Sequence, residues 1–129
     1  MSELPSDVAA TEAEMQQYVR DWPEKADIEP ETINLTFVNS QDIEDFAYIL
    51  RPLIWQSSKE FREGVDGLRS GDAFTAARIN SLINDLMRQL GAIHAKHHPG
   101  SPKVFETNDD ILEKMSKVDF HGSHRLGQF

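Results

Sequence analysis

His94, His97 and His98 stand where an apolar helical stripe ends, and spacings of three and four residues could bring two imidazoles together on one helix face around a metal ion. His121 and His124 could add ligands if the C-terminal tail folds back, and Asp119 and Glu106 are the acids able to complete such a site. The chain has no cysteine, which excludes a thiolate metal site, a disulfide framework and a cysteine nucleophile. A simpler reading has His97 capping the core stripe, with His94 and His98 at its edge near a helix C-terminus whose dipole favours a cationic ring. Divalent-metal binding through His94, His97 and His98 therefore ranks third among the functional readings, and no cofactor is expected.

Arg88 and His94 form an Arg-x5-His pattern within the same helical stretch. It resembles the Arg-x4–6-His signature of HEPN domains, all-helical modules that often act as metal-independent ribonucleases across a dimer. By that resemblance Arg88 would steady a phosphate and His94 would act in acid–base chemistry on a ribose hydroxyl. The resemblance covers seven residues of 129. On an ideal helix the two side chains diverge by about 120°, with Arg88 on the solvent side near Asp85 and His94 at the core edge. A HEPN-like ribonuclease is the second reading, and nucleic acid enters as a partner only under it.

Tyr48, Arg51 and Trp55, at i, i+3 and i+7, share one side of a helix about 120° from its core stripe. These residue types dominate binding hot spots, because each joins apolar area to a polar tip. An exposed Trp55 would make them a partner-binding surface. Equally, the N-terminal helix or a strand could cover this side.

The elements that must carry these residues read as a mainly α fold. Its centre is an antiparallel helix hairpin, about 40–63 and 72–98, flanked by short helices. Ile43, Phe46, Ala47, Leu50, Leu53, Ile54 and Phe61 fall in one arc of the first long helix, interrupted by Pro52 on the opposite side. Gly64 and Gly67 should end it, and Ser70 or Asp72 should cap the next. In that second helix the expected core arc is Ile79, Leu82, Ile83, Leu86, Leu90, Ile93 and His97. Thr11 and Glu14 form a capping box that opens a short helix ending near Trp22-Pro23, and Asn108 can cap another over 109–117. Alternation of Ile33, Leu35 and Phe37 with polar neighbours predicts a minor β element at about 32–38, for which 103–105 is one candidate partner.

At 129 residues the chain has the length of one domain, expected over 11–120 with a disordered arm at 1–10 and an irregular tail at 121–129. Net charge is −9, of which nine acids against Arg20 and Lys25 place −7 within residues 1–31. The body is nearly neutral and its bases are scattered singly, which gives little support to a nucleic-acid groove. Neither a membrane-length apolar run nor a signal-peptide pattern is present, so the expected setting is cytoplasmic with no membrane partner. The first reading is a non-catalytic interaction or regulatory protein that uses a helical surface to bind a protein partner or a second copy of itself.

Overall fold

The computed structural model describes residues 10–24, 27–100 and 104–115. Among them the chain is mainly helical: α1 (Glu12–Arg20), α2 (Ser40–Asp66), α3 (Ser70–His97) and a last helix, α4, over 108–115. No helix is long and apolar enough to cross a membrane among the described residues. Residues 1–9 of the expected arm and the expected tail at 121–129 lie outside the described residues.

Local chemistry explains the helix ends. Thr11 and Glu14 form the expected capping box, the Glu14 N–H donating to Thr11 Oγ1 at 3.1 Å and the Thr11 N–H to Glu14 Oε1 at 2.8 Å. Asn39 caps α2 by accepting from the Gln41 N–H at 2.8 Å. At α4 the N-cap residue is Thr107, whose carbonyl accepts the Ile111 N–H and whose own N–H and hydroxyl donate to the Asp110 carboxylate, and Asn108 lies inside the helix. Ser70 begins α3, after Arg69, which makes no side-chain cap.

Gly64 does not end α2. It lies within the helix, where a Cβ would stand 2.9 Å from the Ala73 backbone nitrogen, so glycine lets α2 and α3 cross closely. The turn that follows puts Leu68 in the left-handed region at φ 61°, and the Arg69 N–H closes it on the Gly64 carbonyl at 2.7 Å. Contacts between α2 and α3 pair Gly64 with Ala73, Ser57 with Asn80, Glu44 with His94 and Ser40 with His98, so the helices run in opposite directions at matched heights.

Two apolar cores sit on this pair. Ile43, Ala47, Leu50 and Ile54 meet Met87, Leu90 and Ile111 in one, while Met15 and Ala10 meet Phe61, Ala73, Ala76 and Ala77 in the other. Ala10, assigned by composition to the arm, is fully buried. Between the cores lies a buried amide layer. Asn80 Nδ2 donates to the Ile54 carbonyl at 3.1 Å and to Asn108 Oδ1 at 3.2 Å, Asn84 Nδ2 donates to Asn80 Oδ1 at 2.7 Å, and Asn84 Oδ1 accepts the Asn108 N–H at 2.7 Å. Asn108 in turn donates to the Ala10 carbonyl at 3.0 Å, joining α4 to the start of α1.

The expected β element is absent among the described residues. Residues 29–36 have no regular structure, and Ile33 keeps 83% of its surface exposed. Alternation alone cannot make a strand without a ladder partner. Of the candidate partner 103–105, residue 103 lies outside the described residues, and Phe105 packs instead against Gly91 and the His94 ring.

The core face of α3 also differs from the expected arc. Its buried line runs through Ala73, Ala76, Ala77, Asn80, Asn84, Met87, Leu90 and His94. Ile83 and Leu86 are half-buried, Ile79, Leu82 and Ile93 are exposed, and His97 is exposed rather than capping the core. Close approach at Gly64 and Gly91, together with satisfied amides, rotates the helix so that small residues face inward.

Candidate functional site

The histidines divide between interior and surface. His94 is 2% exposed, its Nε2 2.7 Å from Glu44 Oε2 and its ring against Phe105 with centroids 5.1 Å apart. His98 sits on the surface with Nε2 3.1 Å from Ser40 Oγ, and His97 lines a groove of about 340 Å³ beside Phe37, Ile43 and Ile93. No three His, Asp or Glu side chains converge in a metal-ligand geometry among the described residues. Glu106, one of the acids that could have completed a metal site, is buried between Arg51 at 2.5 Å and Lys114 at 2.9 Å. His121, His124 and Asp119 lie outside the described residues.

Arg88 and His94 point toward different helices. The Arg88 guanidinium pairs with the buried Glu12 carboxylate on α1 and with Asp85 at 3.2 Å, while His94 faces Glu44 on α2. The hydrogen bond to Glu12 holds Arg88 above its usual pKa range. Sequence spacing identifies Asp85 as a neighbour of Arg88 but gives no sign of Glu12, which is 76 positions away.

Tyr48, Arg51 and Trp55 border a groove of about 320 Å³ with Pro52 and Ile111. Of the three, only Tyr48, 67% exposed, presents a largely free surface. Arg51 is engaged by Glu106, and Trp55 is half-buried against the core formed by α2, α3 and Ile111.

A larger surface lies on the other side of the helix pair. Residues 10–24 and 104–111 cover one side of α2 and α3, through Ser58 to the Ala10 carbonyl, Arg62 to Glu14, Arg88 to Glu12 and Asn108 to Asn84. At 100° per residue, Phe46, Ile49 and Leu53 on α2 and Ile79, Leu82, Leu86 and Ile93 on α3 fall on the opposite side. Ile49, Leu53, Ile79, Leu82 and Ile93 keep between 36% and 65% of their surface exposed, together on the order of 400 Å², the size of the largest apolar patch on an ordinary monomer. Sequence periodicity reads most of these residues as core. A signal to the contrary exists in the line of Ala, Asn, Met and His at positions 73, 76, 77, 80, 84, 87 and 94, which has the same helical period and is better suited to close packing.

Among the described residues, Glu14 is the other titrating group with a clear displacement. Burial pushes its pKa up, but the Thr11 N–H and the Arg62 guanidinium together outweigh that and hold the carboxyl below its ordinary range. Compared with known proteins, the chain matches no family model, no curated protein and no solved structure.

Proposed function

We propose that the protein is a non-catalytic interaction protein that works through the uncovered face of its α2–α3 hairpin. The observation that carries this reading is the exposure of Ile49, Leu53, Ile79 and Leu82, which helical phase sets on one side of two adjacent helices. Leaving so much aliphatic surface in water is unfavourable by about 25 cal/mol per Å², and a partner recovers that free energy by covering it. The ribonuclease alternative gains no comparable support, because Arg88 is held by Glu12 and His94 is buried against Glu44 and Phe105. The Tyr48 groove is a secondary contact at most, since Arg51 and Trp55 already serve the fold.

Ile49→Asp combined with Leu82→Asp tests the reading. The variant should keep the helical circular-dichroism signal and lose association, whether with a second copy or with a protein that co-purifies in stoichiometric amount. Loss of the helical signal would make this face part of the core and overturn the proposal. RNA cleavage that survives EDTA and disappears in Arg88→Ala would restore the enzyme reading.

A further inference from the structure

We infer that the occupant of this face is a second copy of the chain, related by a two-fold axis parallel to the helices, so that α2 of each copy lies over α3 of the other. The inference rests on the interaction reading above and adds its partner and geometry.

Charge placement supplies the argument. Asp42 and Glu60 are 18 residues apart on α2, which is five turns and about 27 Å, so they lie on one line of that helix. Arg78 and Lys96 have the same separation on α3 and lie on one line at the outer edge of its apolar arc. All four are exposed, and among the described residues neither Arg78 nor Lys96 has an acidic partner. The matched heights of α2 and α3, seen in the Glu44–His94 and Ser57–Asn80 contacts, put Asp42 level with Lys96 and Glu60 level with Arg78.

A two-fold axis along the helices preserves heights while exchanging which helix faces which. Each Glu60 then meets the other copy's Arg78, each Asp42 meets the other copy's Lys96, and Asp45 and Glu63 flank the same edge. An axis across the helices would instead set α2 on α2 and α3 on α3. Acids would oppose acids and bases would oppose bases, which disfavours that arrangement.

The size of the face also suits a second copy. Helices of 27 and 28 residues are each about 40 Å long. With axes roughly 10 Å apart they span about 800 Å², the area that each partner contributes to a stable interface, of which Phe37 covers the end at Phe46. The apolar ridges Ile49–Leu53 and Ile79–Leu82–Leu86 would interdigitate as the inner layer of an antiparallel four-helix bundle.

The absence of native cysteine makes the geometry directly testable. Two chains, Glu60→Cys and Arg78→Cys, are mixed, allowed to exchange by dilution and reconcentration, and treated with a short bismaleimide. The mixture should give a covalent dimer, whereas either chain alone should not, because its own cysteines stand on opposite edges of the bundle. Separately, Glu60→Arg should weaken dimerisation about tenfold at low salt, and Glu60→Arg combined with Arg78→Glu should restore it. Cross-linking of Glu60→Cys with itself would overturn the arrangement. A parent chain that remains monomeric at millimolar concentration would overturn the second copy as occupant, and would leave the interaction reading standing if Ile49→Asp with Leu82→Asp still folds. Unfolding of that variant would remove both.

Discussion

His94 Nε2 stands 2.7 Å from Glu44 Oε2, joining the last turns of α3 to the first turns of α2 at the end of the helix pair away from its connecting turn. The contact gives this histidine a fold-stabilising role, with the ring sealed beneath Phe105. His94→Ala should cost about 2–4 kcal/mol in urea denaturation, since it removes a buried ring and deprives Glu44 of its partner. Glu44→Gln, which can still bond the ring nitrogen, should cost less than about 1 kcal/mol. Equal losses in the two variants would mean that the contact with the Glu44 carboxylate, and not the packing, dominates.

The amide layer should be equally intolerant. Asn84→Ala leaves the buried Asn108 N–H without its acceptor and Asn80 without a donor to its side-chain oxygen. A loss of about 2–3 kcal/mol is expected, read as a lower urea midpoint with an unchanged slope. A neutral result would show that water or a neighbouring carbonyl replaces the amide.

How much of this was legible in the sequence depends on what each helix packs against. In α2 the large aliphatic residues Ile43, Leu50 and Ile54 do form the core, so periodicity identifies the inward face and errs at its border, where Leu53 is exposed and Phe46 only half-buried. In α3 periodicity finds the aliphatic arc but misjudges its environment, because close helix contact favours Ala73, Ala76 and Ala77 and the amides of Asn80 and Asn84 satisfy one another. The wheel of one helix contains no information about which neighbour approaches it. The same limit applies to the candidate sites: the spacing of Tyr48, Arg51 and Trp55 places them together, while Glu106, 55 positions beyond Arg51, decides that the guanidinium is already engaged.

Leu68 offers a gain in stability. Its φ of 61° is unfavourable for an L-residue, and its side chain is 91% exposed, so little packing is lost on removing it. Leu68→Gly should stabilise the fold by about 1 kcal/mol, measured by chemical denaturation. Destabilisation would indicate that the side chain contributes more to the turn than its exposure suggests.

Acid should act partly through Glu14. Because its pKa is lowered in the folded chain, its contribution is present above the unfolded value and is lost as pH falls through the lower folded value. Thermal midpoints of the parent should therefore drop more steeply than those of Glu14→Gln as pH is taken below the ordinary carboxylate range. The difference will be small, since about half of the Glu14 side chain is exposed and its pair with Arg62 is screened by water. Parallel pH profiles would remove Glu14 from the acid response.

The most direct measurement is the molar mass of the parent chain by light scattering over a dilution series. A chain of 14.7 kDa that pairs through α2 and α3 should approach twice that mass on concentration, and Leu82→Asp should remain at 14.7 kDa with its helical signal intact. A parent that holds the single-chain mass throughout, or a dimer whose mass Leu82→Asp leaves unchanged, would contradict dimerisation through this face.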